Sequence, residues 1–164
     1  IFHGYTFINI TNTNLVYDSD CTNSAVIPQF SDSIYIDRLQ RMPTIMEMPY
    51  NAIVREYIDR YAVKLRNQVS VMLAANNFYM PLFEEALDAY DLPLELKYLP
   101  IIESALKPTA RSRAGALGLW QFMLKTGRLY GLESNSLVDD RLDPIKATWA
   151  AARYLREMYD IYQD

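Results

Sequence analysis

Glu103 ends the apolar run Leu99-Pro100-Ile101-Ile102 and is followed directly by Ser104. A carboxyl group beside isoleucines loses water around its charged form, which is expected to raise its pKa toward the value a general acid needs at neutral pH. Such an acid can hand a proton to a glycosidic oxygen as the bond breaks. Downstream, Gly118-Leu119-Trp120-Gln121-Phe122-Met123 sets an amide and a thioether among large aromatics, and Ser112 stands midway along a loop rich in small residues. An acid, a hydroxyl, an amide and apolar surfaces together suit chemistry on a sugar chain.

Most glycosidases add a second carboxylate as nucleophile or base. Between Glu103 and Glu133 this sequence has no Asp or Glu, only the cations Lys107, Arg111, Arg113, Lys125 and Arg128. One carboxylate suffices when the substrate brings its own nucleophile: a sugar hydroxyl closes a ring as the same glutamate, now a base, removes its proton. Each residue also has a duller reading. Glu103 can be paired with a buried Arg or held by backbone amides, Gln121 can satisfy core backbone groups, and Met123 can fill a core. Ser112 in a polar loop is ordinarily exposed, and Trp120 and Tyr154 read as packing. The signal lies in their joint spacing.

Glu103-Ser104-Ala105-Leu106-Lys107-Pro108, then Ser112, Gly115, Gly118-Leu119-Trp120-Gln121 and Met123, resembles the catalytic core of lytic murein transglycosylases of the goose-lysozyme-like group, nearest the membrane-bound D type. The resemblance covers roughly residue 31 to the end and is strong over 92 to 160. It implies a mainly α, lysozyme-like catalytic core with an N-terminal helical extension. It also implies cleavage of the β-1,4 bond between N-acetylmuramic acid and N-acetylglucosamine to a 1,6-anhydro product, without a cofactor. By the same resemblance the family's acid and base falls on Glu103, and its groove-lining serine, glutamine and methionine fall on Ser112, Gln121 and Met123. Trp120 stands where the motif more often has Met, a D-type variant. The family's later Ala-Tyr-Asn motif does not occur before Asp164, so the chain is expected to be a fragment that continues into that motif. Lysozyme-like hydrolysis with water as nucleophile, and wall binding without catalysis, are the rival readings. Peptidoglycan is the implied partner, in the periplasm or cell envelope, with the longer parent attached to the outer membrane.

Composition bounds the class. With 51% hydrophobic residues and 13 Tyr, a chain of this length can bury about 70% of its unfolded surface around one core. A net charge of −4 argues against nucleic acid, which wants a basic face. The cations after Glu103 are a local exception that can steer the lactyl and peptide carboxylates of murein, or form an ordinary solvated loop. Cys21 is the only cysteine and His3 the only histidine, which excludes an internal disulfide and argues against a histidine-built metal centre or Ser-His catalysis. The N-terminal residues have neither the basic start nor the apolar centre of a signal peptide.

The elements that must position these groups are read as helical almost throughout. Residues 1–30 show no helical period and are expected to be an extended or disordered leader, 31–90 a helical scaffold, and 91–164 the first part of the catalytic domain. Ile53, Val54, Tyr57, Ile58, Tyr61, Leu65, Val69 and Met72 recur at three- and four-residue steps, which predicts one long helix beginning near Pro49 with its Tyr and Met residues in the core. Asn76-Asn77 is expected to break it and Pro81 to open a shorter helix through Tyr90. Pro100 should kink or restart the next helix, and Lys107-Pro108 should close it. Gln121 and Met123 are expected on a further helix that Gly131 ends. After a loop from Asp139 to Leu142, with a small hairpin allowed before Asp143, Asp143 caps a last helix with Pro144 at its first position and a buried face of Ile145, Trp149, Ala152, Leu155 and Tyr159.

Overall fold

Residues 30–163 are described by a computed structural model; Cys21, His3 and all but the last residue of the expected leader lie outside them. Among the described residues six α-helices occur in order: α1 (Asp32–Gln40), α2 (Ala52–Asp59), α3 (Arg66–Ala89), α4 (Leu99–Ser104), α5 (Leu124–Leu129) and α6 (Pro144–Tyr162). A π-helical turn, Arg60–Lys64, joins α2 to α3, and short 3-10 turns, Leu94–Tyr98 and Asp140–Leu142, precede α4 and α6. Extended pairing among the described residues is limited to isolated antiparallel bridges, so the mainly α expectation holds. One bridge, Ser134 to Asp139, is the small hairpin allowed before Asp143.

α2 starts where its cap stands: the Asn51 side chain accepts from the Val54 amide at 3.0 Å. The predicted single long helix is interrupted, but at a different place. The Leu65 amide donates to the Arg60 carbonyl at 2.9 Å, five residues back, and such a turn inserts one residue, rotating the next helix by roughly 100° about its axis. The apolar stripe of α2 is thereby offset from that of α3, which leaves Ile53 67% and Tyr57 51% exposed. α3 in turn runs unbroken through Asn76-Asn77 and Pro81. A proline inside a helix costs about 3 kcal/mol, yet Met80, Phe83 and Leu87 are all buried along this stretch, each contributing roughly 1.5–3 kcal/mol. Packing therefore outweighs the lost amide.

α3 is the central strut. Met72, Met80 and Phe83 share one core cluster with Leu106 and Leu119, while Ala86 and Leu87 share another with Leu92 and Ala152 of α6. α6 is capped as its sequence predicts, with Asp143 Oδ1 accepting from the Ile145 and Lys146 amides at 2.8 and 3.0 Å. Its buried face differs from the expected one: Ala147, Thr148, Ala150, Ala151 and Ala152 are buried, whereas Ile145 is 60% and Tyr159 46% exposed. Small side chains let α6 lie close against the rest of the domain, and the large apolar ones fall on its rim. Trp149 and Leu155 remain partly buried against the second cluster, as expected.

Candidate active site

Pro100 restarts the chain as predicted. The 3-10 turn ends at Tyr98, and α4 begins with the proline in its first turn, where its missing amide is no loss. Pro100 and Ser104, four residues apart, take the buried face, and Ser104 Oγ donates to the Pro100 carbonyl at 2.8 Å. Ile102 lies opposite, 72% exposed, and Glu103 is exposed beside it. The greasy enclosure expected around Glu103 is thus absent, because the face that α4 buries is set by contacts with the rest of the domain and not by its own apolar run. The helix also ends earlier than Lys107-Pro108. Ala105 and Leu106 both take left-handed φ values, 53° and 58°, and their amides fold back onto the Ile101 and Pro100 carbonyls at 3.0 and 3.3 Å. Leu106, only 3% exposed, is thereby delivered to the core.

The next loop is bound to itself. The Ser112 amide donates to the Ala116 carbonyl at 2.9 Å, and Ser112 Oγ accepts from the Ala116 amide at 3.0 Å. Leu117 and Phe122 exchange backbone hydrogen bonds at 3.1 Å, so Gly118 to Gln121 form a tight reversal. The expectation of a helix here fails for Gln121 and Met123: Gln121 sits in this reversal and Met123 immediately precedes α5. Gln121 has φ 48°, a conformation that costs roughly 1–2 kcal/mol for a residue with a Cβ. Its own amide offsets this, since Nε2 donates to the carbonyls of Gly118 at 2.8 Å and Ala110 at 3.3 Å. Both side-chain donors are thus used on backbone, and Oε1 is left as an acceptor.

Arg141 holds this loop from behind. Its side chain is 7% exposed, and its guanidinium donates to the Gly115 and Phe122 carbonyls at 3.2 Å and pairs with Asp139 at 2.7 Å. Hydrogen bonding to Arg141, chiefly, holds the Asp139 pKa down to about 2. A Cβ on Gly118 would stand 1.8 Å from the Arg141 carbonyl oxygen, which is why glycine occupies that turn. Trp120 packs as expected, its ring 5.3 Å from that of Phe83 and its Nε1 donating to Thr148 Oγ1 at 3.0 Å. Tyr154 packs likewise against Tyr130.

Glu103, Ser112 and Gln121 line one open cleft of about 380 Å³ together with Lys107 and Arg111. Met123 does not line it and is 45% exposed. Glu103 is the only carboxylate in the lining, and none of the ion pairs among the described residues includes it. The duller reading, a structural glutamate paired with arginine, is therefore not what is found. The opposite side of the cleft holds residues that sequence reasoning assigns to the core or passes over: Tyr61, Leu65, Gln68 and Met72. Their spacing follows the helical stripe, and a polar Gln68 within that stripe is the available signal.

The family model of the transglycosylase SLT domain matches residues 81–164. Over 120 residues, 71% of this chain, the sequence is 36% identical to the membrane-bound lytic murein transglycosylase D of Escherichia coli strain K12. It is also 42% identical over 82 residues, 47% of the chain, to the peptidoglycan transglycosylase gp16 of Escherichia phage T7. The chain spans 26% of the length of the first relative and 6% of the second.

Proposed function

The chain belongs to the transglycosylase SLT domain family, and from that premise we propose that Glu103 cleaves the β-1,4 bond between N-acetylmuramic acid and N-acetylglucosamine in murein, leaving a 1,6-anhydro-muramoyl end. The observation that carries this reading is the solitary carboxylate: Glu103 alone supplies an acid to a cleft that Ser112 and Gln121 also line. As acid, Glu103 gives its proton to the glycosidic oxygen, and the bond electrons leave with the N-acetylglucosamine O4. As base, it then takes the proton of the muramoyl C6 hydroxyl, whose oxygen bonds to C1 and closes the ring. One proton is given and one regained, so neither a water nor a second carboxylate is consumed.

In this scheme Gln121 Oε1 accepts from a sugar hydroxyl or N-acetyl N–H, and Ser112, its hydroxyl already accepting from Ala116, donates to the glycan. Met123 contacts a sugar further along the strand. Lys107 and Arg111, exposed in the same lining, attract the lactyl and stem-peptide carboxylates of the strand. Because Glu103 is open to solvent in the free chain, it is the bound saccharide that strips water from it, so that proton transfer occurs in a drier setting. The division of labour is a scaffold over 31–90 and a catalytic part from 91. Catalysis takes place in the cell envelope, with a longer parent held at a membrane, as the name of the Escherichia coli relative suggests; no helix among the described residues is long and apolar enough to cross one.

The test is product analysis after incubation of purified murein with the chain. Anhydro-muropeptides identified by mass spectrometry support the reading. Products with reducing muramic acid ends would assign hydrolysis instead, and release of no fragments despite murein binding would assign a wall-binding module.

A further inference from the structure

We infer that the scaffold upstream of the matched domain supplies half of the glycan-binding cleft, with Tyr61 and Gln68 as a sugar-binding subsite facing Glu103. This rests on the reading of the cleft as a murein site and extends it to residues that the family model does not reach, since that match begins at residue 81.

The cleft has two walls. One is built from residues 101–121; the other comes from the π-helical turn and the first turns of α3, where Tyr61, Leu65, Gln68 and Met72 recur on one helical face. Met72 is 5% exposed and belongs to the core, so it forms floor and not surface. Tyr61 is half-buried: it packs against that core and also lines the cleft. Gln68 is exposed. Among the described residues no hydrogen bond engages the Tyr61 hydroxyl or the Gln68 amide, and neither group is buried without a partner. A tyrosine hydroxyl both donates and accepts, and a glutamine amide carries two donors and an acceptor, which are the groups a sugar ligand needs.

The chemistry of these two groups matches a hexosamine. A pyranose has an apolar face of C–H groups that stacks on an aromatic ring, and a rim of hydroxyls and an N-acetyl amide that pairs with a side-chain amide. An aromatic fixed by packing on one edge loses little freedom when it binds. The π-helical turn is where such a residue is expected, because single π turns concentrate at functional sites, where the inserted residue redirects side chains. Here the insertion sets the α2 stripe apart from α3, and Tyr61, within the turn itself, is among the residues lining the cleft.

The experiment is calorimetric titration of the 164-residue chain, carrying Glu103→Gln so that nothing turns over, with a soluble tetrasaccharide of alternating N-acetylglucosamine and N-acetylmuramic acid. Tyr61→Ala is expected to weaken binding about tenfold and Gln68→Ala about threefold, while Tyr61→Phe keeps most of the affinity. Tyr61 touches the core, so circular dichroism accompanies each variant; Gln68, on the surface, tests the same wall without risk to folding. If Tyr61→Ala and Gln68→Ala bind as tightly as their parent while Gln121→Ala does not bind, the scaffold wall is overturned and the murein reading stands. If the parent itself binds no glycan, both fall.

Discussion

Asp139→Asn tests how the cleft is held together. Arg141 is 6% exposed, and its side chain reaches Asp139 Oδ1 and Oδ2 at 2.9 and 2.7 Å as well as the carbonyls of Gly115 and Phe122. Those two carbonyls flank the reversal that carries Gln121, so the ion pair and the cleft are one unit. Removing the partner of a buried charge costs roughly 3–5 kcal/mol. Asparagine keeps one acceptor for the guanidinium, which sets the expectation at the lower end, about 3 kcal/mol. Protonation of Asp139 gives a second, independent figure. Its pKa falls from 3.8 unfolded to about 2 folded, which by linkage corresponds to roughly 2 kcal/mol. The folded pKa is depressed, so this stabilisation is complete above about pH 4 and is lost as pH falls through about 2. Urea unfolding followed by circular dichroism is the assay, at pH 7 and at steps down to about pH 2. The variant should be less stable by about 3 kcal/mol at pH 7, and the gap to the natural chain should narrow by about 2 kcal/mol on acidification. A gap below about 1 kcal/mol at pH 7, or one that does not change with pH, would refute the brace.

Gly118→Ala places a Cβ 1.8 Å from the Arg141 carbonyl oxygen at φ +81°. The backbone conformation alone costs roughly 1–2 kcal/mol and the clash adds to it, so the thermal midpoint should drop sharply; an unchanged midpoint would contradict the close approach. Asp143→Ala removes the acceptor of the Ile145 and Lys146 amides and should cost about 1 kcal/mol. Urea unfolding curves that superimpose would show the α6 cap to be dispensable.

Local features are legible in the sequence. Asp143-Pro144 announces a helix start by side-chain geometry alone, and Pro100 announces a restart by its missing amide; both are found. Features set by distant contacts are not legible. Pro81 looks like a boundary, yet the helix continues because Met80, Phe83 and Leu87 are buried against other elements. The π-helical turn at Arg60–Lys64 leaves no mark in composition, because an inserted residue looks like any other. The apolar neighbours of Glu103 suggest burial, but the covered side of α4 is the one with Pro100 and Ser104, and Ile102 is left facing out. The spacing of Glu103, Ser112 and Gln121 does bring them to one cleft, whereas Met123 is kept apart from it by the reversal from Gly118 to Gln121. Tyr61, one residue in a stripe of apolar neighbours, looks like core and is core on one side only.

The central claim is that a single carboxyl group both gives and takes the proton. Glu103→Gln keeps the size and exposure of the side chain and removes only that capacity, so the fold should be unchanged by circular dichroism. Mass spectrometry of purified murein treated with the natural chain and with this variant is the direct measurement. The account predicts 1,6-anhydro-muropeptides from the natural chain and none from the variant; the same anhydro products released at an equal rate by both would contradict it.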